Sequence, residues 1–231
     1  MLLAGVSAAI AGAGALAHGT FHRNSPLFGR PITELPGRPP FVSLTFDDGP
    51  NPEATPRVLD ALAAANVRAT FFILGRHAER WPALVRRVVD EGHQVGNHGY
   101  HHRKLHRFGP AYVRDDLTRG TRCIEDACGV HARLFRAPHG FRSPWVTPIA
   151  ASLGQRTVGW SLGVWDSDRP GAEVIAARTI DGARRGSILL LHDGDGYDPA
   201  GDRLQTAAAL PAIAAGVRAR GFDFALLPVA A

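Results

Sequence analysis

The feature that most constrains the fold of this chain is a regular alternation between short β-rich runs and helical patterns. FVSLTF is followed by TPRVLDALAAAN, ATFFILG by HAERWPALVRRVVDEG, and HQVGNH by AYVRDDLTRGTRCIEDACG. The alternation continues through ARLFRAP, QRTVGW and SILLLH, each followed by a helical pattern, and ends with FDFALL. Because parallel strands need crossover connections, this pattern predicts an α/β fold with parallel strands and outer helices. An open sheet and a closed barrel both satisfy it.

Three regions are expected along the 231 residues, a length that suits one domain with its own core. Residues 1–19 are apolar and rich in small residues, and the sequence ALA-H resembles a signal-peptidase site after Ala17. We expect a signal peptide here, which favours export to the periplasm, cell envelope or medium. A buried Ala-rich helix and a cytoplasmic location stay open, because the usual basic n-region is missing. Residues 20–39 are rich in proline and lack periodicity, so we expect an extended lead-in there. We expect the main domain in residues 40–231.

Composition argues against two classes of protein. Hydrophobic residues make up 45% of the chain and charged residues 20%, which does not suit a disordered protein. The net charge is +5, but the arginines are dispersed through helical stretches, and no basic run contains interleaved aromatic residues. We therefore predict no nucleic-acid partner. The same charge is compatible with an anionic polymer and with a peripheral association with the cell envelope.

Polar residues that can bind metals or move protons follow five of the predicted strands. In parallel α/β folds the chemistry collects at the carboxyl ends of strands, so these residues are expected at one edge. A strand that enters a turn also often ends in Asp and Gly for conformational reasons alone. The residues are Asp47 and Asp48 after SLTF, His98 after QVGN, Arg136 after ARLF, Asp166 and Asp168 after TVGW, and His192 after SILLL.

His98 and His102 have the spacing of a metal site. Four residues apart on a helical turn, both imidazoles face one side, as in sites where two histidines hold one zinc ion. His102 and His106 share this spacing, and an isolated pair of this kind is more often a solvated His-rich loop. A carboxylate from another strand end would complete a three-ligand site with an open position. Either Asp47 or Asp48 could supply that carboxylate.

Four motifs in order carry a resemblance to a known family. TFDDGP, NHGYHH, RAPHG and LLLHDG resemble the successive motifs of the polysaccharide deacetylase family, also called the NodB-homology or carbohydrate esterase 4 family. The resemblance spans about Pro40 to Leu227, so residues 40–231 would form the catalytic domain. It implies a deformed (β/α) barrel with seven parallel strands and outer helices. It also implies metal-dependent hydrolysis of N-acetyl groups on chitin-like, peptidoglycan or exopolysaccharide chains, whether polymers or oligosaccharides.

The first motifs imply how water would be activated. Asp47 would be the general base, while Asp48, His98 and His102 would bind the metal. Arg136 would pair with the base carboxylate. A divalent cation polarises an amide carbonyl and lowers the pKa of bound water, so a nearby carboxylate can take the proton at neutral pH.

The later motifs imply how the acetamide would be held and cleaved. The backbone N–H of His139 would stabilise the oxyanion, and Leu190 would line the pocket for the acetyl group. His192 would be the general acid that protonates the leaving amine, since an unprotonated amide nitrogen leaves poorly. The products would be acetate and a free amino sugar.

Two positions depart from the family motifs but leave the metal ligands and the backbone oxyanion donor in place. Gly99 replaces the usual Ser or Thr between the metal histidines, which deletes a hydroxyl that could support the site. His139 stands where Tyr is common. The backbone donor is kept, while the contact of this side chain with sugar is expected to change.

The segment GWSLGVWDSDRP departs further, because Ser167 stands where the family pattern has a Trp. Trp165 is expected to take over part of the acetyl pocket as a substrate-binding residue. Asp166 aligns best as the acid that orients His192 and tunes its pKa. Asp168, two places on, is the alternative.

The expected cofactor is a divalent metal. Two imidazoles and one carboxylate suit zinc best, and cobalt or nickel could occupy the same site. The expected partner is an N-acetylated glycan. Two other functions stay open: a related metal-dependent amidase that acts on a non-sugar C–N bond, and a non-catalytic glycan-binding module.

Overall fold

The computed structural model describes residues 2–229, with side chains from residue 12 onward. Within these residues the strands are β1 (Phe41–Asp47), β2 (Thr70–Ile73), β3 (Gln94–Asn97), β4 (Leu134–Phe135), β5 (Arg156–Thr157), β6 (Leu162–Gly163), β7 (Ile188–His192) and β8 (Asp223–Phe224). The helices are α1 (Leu2–Phe21), α2 (Ala54–Ala64), α3 (Gly75–Arg80), α4 (Pro82–Asp90), α5 (Pro110–Cys128), α6 (Val146–Ser152), α7 (Ala172–Gly182) and α8 (Leu204–Ala219). Short 3₁₀ turns occupy Leu105–Arg107, Pro138–Gly140 and Asp166–Asp168.

Seven strands follow one path in the order β5-β4-β3-β2-β1-β7-β6, and every pair along it is parallel. The sheet curls into a half-barrel surrounded by helices, which confirms the predicted deformed (β/α) barrel. The eighth strand, β8, pairs with the first two residues of β1. β6 follows β5 with no helix between them, so the alternation of strands and helices gives no signal for it.

β1 lies in the middle of the sheet, between β2 and β7. Its register places Asp47 opposite His192 at the end of β7 and opposite Phe72 in β2. Every residue of β1 after Phe41 is buried, because helices cover one face of the sheet and side chains fill the other. The pairing therefore brings the ends of two sequence motifs side by side.

The lead-in packs against the half-barrel. Leu35 is buried in an apolar cluster with Phe72, Leu134, Val158, Ile188 and Leu227. Single backbone bridges join Ile32 to Val158, just beyond β5, and Glu34 to Ser187, just before β7. The segment thus links the two sides of the half-barrel and takes part in its core.

Helix α5 shows how the outer layer is built. Val113, Leu117 and Ile124 recur at helical spacing and are all buried, so this stripe faces inward. The helix packs against α3 and α4 and ends at Gly129, whose φ of 72° lies in the left-handed region that favours glycine. It is the longest helix of the outer layer and lies against the loop that follows β3.

The predicted signal peptide falls within α1, which continues to Phe21. Its removal stays a prediction. Among the helices in the described residues, none combines the length and the apolar character that crossing a membrane requires.

Candidate active site

The carboxyl ends of β1, β3 and β7 bring the predicted site residues to one edge of the sheet. Asp47 ends β1, and Asp48 begins the turn after it with a φ of 73°. His98 follows β3, and the loop beyond it carries His102, whose φ is 59°. Such values are uncommon for residues other than glycine, and backbone strain of this kind concentrates at functional sites.

Asp48, His98 and His102 form a buried group of three potential metal ligands, with ligand atoms all within 4.8 Å of one another. Oδ1 of Asp48 is 3.1 Å from Nε2 of His102 and 3.4 Å from Nε2 of His98. The neighbouring carboxylate of Asp47 is 3.7 Å from Nε2 of His98. Of the two aspartates that the sequence left open, Asp48 is therefore the one placed between both histidines.

The donor set fits a divalent cation. Within the described residues, the buried Oδ1 of Asp48 has no hydrogen-bond partner, which is costly for a carboxylate unless a cation is near. Nδ1 of His98 is 2.8 Å from the carbonyl oxygen of Arg136, so this nitrogen carries the proton and donates it there. Nε2 of His98 then presents its lone pair to the site, as in metal-binding histidines held by an outer hydrogen bond.

The pKa shifts of Asp48, His98 and His102 also fit a site for a divalent cation. Burial alone would raise the pKa of Asp48, but His102 and His98 hold it well below its usual range. Burial lowers the pKa of His102 to about 3. Burial also acts to lower the pKa of His98, but Asp47 and Asp48 outweigh it and raise that pKa. A cation would neutralise the negative charge that favours protonated His98.

Asp47 stands beside this group and is held by a buried guanidinium. Nη1 of Arg136 donates to Oδ1 of Asp47 at 2.7 Å and to the hydroxyl of Thr45 at 2.8 Å. Nη2 donates to the Gly159 carbonyl at 2.9 Å. The guanidinium also lies 4.1 Å from the ring centre of Phe72, in a cation–π contact. One carboxylate oxygen of Asp47 is thus fixed by the arginine, which leaves the other facing the site.

His192 reaches the site from β7 and is fixed by Asp166. Nδ1 of His192 is 2.8 Å from Oδ1 of Asp166, and the His192 backbone N–H donates to Oδ2 at 2.8 Å. The Thr206 hydroxyl donates to the same oxygen at 2.9 Å. Asp166 is fully buried, whereas Asp168 is exposed. Of the two candidates, Asp166 is therefore the one that contacts His192.

These groups open onto a cleft of about 470 Å³, a volume ordinary for a ligand site. Eight of the ten predicted site residues line it: Asp47, Asp48, His98, His102, His139, Trp165, Leu190 and His192. Arg136 and Asp166 lie behind the lining, both fully buried. Trp165 is 67% exposed and stands at the rim beside Ser167.

The loop after β7 covers the second metal histidine. Gly196 lies against His102 so closely that a Cβ at this position would overlap the imidazole ring. Nη2 of Arg76 donates to the Gly196 carbonyl at 2.6 Å and holds the loop there. The next residue, Tyr197, places its hydroxyl 2.9 Å from Nε2 of His139. Because burial lowers the pKa of His139 to about 4, this contact involves a neutral imidazole.

The loop between the metal histidines is held by Asp116 in α5. Its carboxylate accepts hydrogen bonds from the backbone N–H groups of Tyr100 at 2.9 Å and His101 at 3.2 Å. Gly99 has a φ of 78°, and a Cβ added there would lie 2.6 Å from Oδ2 of Asp116. The carboxylate thus occupies the space beside the position where the family pattern has Ser or Thr, and it supports the loop from outside.

Several cleft residues were missed by the sequence reasoning. Trp160 ends the run TVGW and Tyr197 follows LLLHDG, so an aromatic residue just past a motif was a usable signal for both. Phe21 and Arg23 also line the cleft, although the sequence placed them in the lead-in. Asp116 gave no local signal, because its contact with the histidine loop depends on how α5 packs.

Comparisons with known proteins agree with this geometry. The family model for polysaccharide deacetylase matches residues 35–158. The chitooligosaccharide deacetylase of Bradyrhizobium sp. (strain ANU 289) is 41% identical over 196 residues, which cover 81% of this chain and 89% of that protein.

Two solved structures show the same fold. The Bc1960 peptidoglycan N-acetylglucosamine deacetylase has a TM-score of 0.80 at 31% identity, covering 85% of this chain and 90% of that one. BA3943 from Bacillus anthracis, a CE4 family pseudoenzyme, has a TM-score of 0.77 at 28% identity, covering 85% of this chain and 66% of that one. The match to the family model runs from the lead-in through β5 and includes both aspartates, the histidine loop and Arg136. On its motifs, its half-barrel and this match over more than half of its length, the chain belongs to the polysaccharide deacetylase family, carbohydrate esterase 4.

Proposed function

We propose that this protein is a metal-dependent N-deacetylase that hydrolyses the acetamide groups of amino-sugar polymers or oligosaccharides and releases acetate. One observation carries the proposal. The buried group of Asp48, His98 and His102 shares one cleft with an Arg-held carboxylate, Asp47, and an Asp-held imidazole, His192. Hydrolysis of an amide needs such an acid and base on either side of the reacting carbonyl.

Asp48, His98 and His102 would hold the divalent cation, which polarises the acetamide carbonyl and lowers the pKa of water at the site. Asp47 takes the proton from the attacking water through the oxygen that Arg136 leaves free. Arg136 fixes the position of that carboxylate, so little reorganisation is needed during the reaction.

Three residues act on the acetyl group and on the leaving amine: His139, Leu190 and His192. The backbone N–H of His139 donates to the oxyanion that forms at the acetyl carbon, and Leu190 contacts the methyl group. His192 gives its proton to the sugar nitrogen as the C–N bond breaks. Burial alone would lower the pKa of His192, but Asp166 outweighs it and raises the pKa to about 9, so the proton is present at neutral pH. Water is consumed, and acetate and a free amine are formed.

Chitooligosaccharides and peptidoglycan N-acetylglucosamine are the substrate classes that the relatives support. We propose zinc as the native metal, with cobalt or nickel able to occupy the same ligands. Export to the cell envelope, suggested by the apolar leader, would bring the protein to such polymers. The net positive charge suits a substrate within an anionic envelope.

Acetate release from chitooligosaccharides and from peptidoglycan tests the proposal. The protein is chelated, assayed, and assayed again after zinc or cobalt is added back. We expect release only with metal, unchanged in Asp168→Asn and abolished in Asp47→Asn. No release from either substrate by metal-loaded protein would favour an amide other than an acetylated sugar. If the metal-loaded protein binds glycan but releases no acetate, it is a glycan-binding module. The similarity to a CE4 family pseudoenzyme is a reason to test this alternative.

A further inference from the structure

The cleft extends beyond the reacting groups along a wall that comes from the amino-terminal part of the chain. Four large aromatic side chains in the described residues are exposed, and three of them line the cleft: Phe21 at 57%, Trp165 at 67% and Tyr197 at 67%. Phe41 is the fourth and lies at the opposite end of β1. Aromatic rings kept exposed around a polar cleft are placed to contact a ligand rather than to fill the core.

A buried arginine fixes the segment that carries Phe21. The Arg142 guanidinium is 1% exposed and donates to the carbonyls of Ser25 at 2.7 Å, Arg23 at 3.2 Å and Gly29 at 3.2 Å. Its backbone N–H donates to the Thr20 carbonyl at 3.2 Å. Within the described residues this guanidinium has no carboxylate partner, so its hydrogen bonds serve to hold this segment against the cleft. Burying a charge for that purpose is costly, and the proposed chemistry does not use it.

Aromatic rings connect the metal group to this segment. The ring of His102 lies 4.6 Å from that of His139, which lies 5.9 Å from Phe141, which in turn lies 5.5 Å from Phe21. His106 contacts both phenyl rings edge-on at 5.3 Å. Three ring-to-ring contacts thus separate Phe21 from His102. The C–H face of a pyranose packs on aromatic rings of this kind, because both surfaces are apolar and flat.

Arg23 supplies the polar part of the same wall. Its guanidinium lies 5.2 Å from the ring centre of Trp160, and Trp160 itself lines the cleft and lies 5.6 Å from the Arg136 guanidinium. Arg23 is exposed, and within the described residues its guanidinium contacts the Trp160 ring and takes part in no hydrogen bond or salt bridge. Its N–H groups are therefore available to sugar hydroxyls next to the apolar surface of Phe21.

We propose that Phe21, Phe141 and Arg23 form an outer sugar subsite, which binds a pyranose at least two residues away from the one that is deacetylated and so out of reach of chitobiose. This inference rests on the proposed function, since it assumes that the cleft binds an amino-sugar chain. Phe21 and Phe141 stack on the ring, and Arg23 contacts its hydroxyls. The subsite makes the enzyme select longer chains. The predicted cleavage after Ala17 would leave all of it in place.

The test compares chitobiose with chitopentaose in Phe21→Ala. The expected result is an increase of about tenfold in KM for chitopentaose, which corresponds to roughly 1.4 kcal/mol of binding. The kcat for both substrates and the KM for chitobiose stay unchanged. Phe41→Ala, the exposed phenylalanine away from the cleft, should change neither substrate, and Phe21→Trp should restore the KM for chitopentaose. Equal effects on both chain lengths, or no effect on either, overturn the subsite.

Binding separates a failure of the subsite from a failure of the proposed function. Calorimetric titration of chitopentaose into Asp47→Asn and into Asp47→Asn/Phe21→Ala needs no turnover. Weaker binding by the double variant supports the subsite even if the wild-type protein releases no acetate. Equal binding rejects the subsite even if deacetylation is established. Matching far-ultraviolet circular dichroism of the two proteins shows that a difference does not arise from misfolding.

Discussion

The carboxylate of Asp166 holds His192 from two directions, with one oxygen 2.8 Å from the ring nitrogen Nδ1 and the other 2.8 Å from the backbone nitrogen. The ring can therefore present only Nε2 to the cleft. Burial alone would lower the pKa of His192, but Asp166 outweighs it, and Asp48 and Asp47 add to the rise to about 9. A bound cation would offset the part that comes from Asp47 and Asp48, so Asp166 supplies the part that persists in the working enzyme.

Asp166→Asn should move the alkaline limb of the pH profile to lower pH. A histidine with a raised pKa keeps its proton until the pH rises through that value, and the proposed acid must be protonated to act. Asparagine keeps the shape but removes the charge, so the pKa of His192 should fall toward or below its ordinary value of about 6.5. Profiles of kcat against pH measure the shift, with Asp168→Asn as the exposed control. Identical alkaline limbs in wild type and Asp166→Asn would contradict the role of His192 as the acid.

Measuring the metal content of variants should distinguish the three metal ligands from the general base. Alanine at Asp48, His98 or His102 removes a ligand atom from a three-residue set, so metal and acetate release should be lost together. Asp47→Asn should keep the metal and lose turnover by several orders of magnitude. Elemental analysis after gel filtration gives the metal content, and His101→Ala serves as a control from the same loop. Metal loss in Asp47→Asn would mean that the two aspartates have been assigned in reverse.

Arg136→Met should destabilise the protein by about 3 to 5 kcal/mol, because it leaves the Asp47 carboxylate buried without its guanidinium. Asp47→Asn/Arg136→Met removes both charges and should recover much of this loss. Neither variant should release acetate. Urea unfolding followed by circular dichroism measures the difference. A double variant as unstable as Arg136→Met would show that the hydrogen bonds of Arg136 to Thr45 and Gly159 matter more than the ion pair.

Asp116→Ala should weaken metal binding by about 10- to 100-fold, the range found when groups that orient metal ligands are removed. The carboxylate holds the backbone N–H groups of Tyr100 and His101, and without it the loop that carries His102 is less well fixed. Competition with a chromophoric chelator measures the affinity. Asp115→Ala, an exposed neighbour on α5, is the matched control. Equal affinities in the two variants would assign the support of this loop to other contacts.

The parallel sheet with outer helices could be predicted because it rests on periodicity over whole segments, whereas its curl into a half-barrel was implied by the family resemblance. Short β-rich runs and longer helical patterns alternate along the chain, and that alternation permits few arrangements other than a parallel sheet. The same rule placed Asp47 and His192 at one edge, and the register of β1 with β7 sets them side by side. β6 escaped prediction because no helix separates it from β5, so the alternation gives no signal for it and only its pairing with β7 defines the strand.

The details of the site depended on information that lies outside any local pattern. Asp166 aligns best with the family pattern and Asp168 stays open as the alternative in sequence, and the 3₁₀ turn that contains them buries the first and exposes the second. Asp116 meets the histidine loop 16 residues back along the chain, where its position follows from the packing of α5. Phe21 was hidden by its place after an apolar leader, since nothing in that pattern predicts a return to the cleft.

The pairing of β8 with the start of β1 determines how this enzyme could be attached to a surface. β8 meets Phe41 and Val42, whereas Asp47 and the cleft lie at the other end of the strand, about 20 Å away at roughly 3.3 Å per residue. A tether after Val229 would therefore leave from the side opposite the cleft, which stays open to an incoming polymer. A tether through α1 would instead emerge beside Phe21, where it competes with the glycan for space. For immobilised use, an attachment point beside β8 keeps the cleft free.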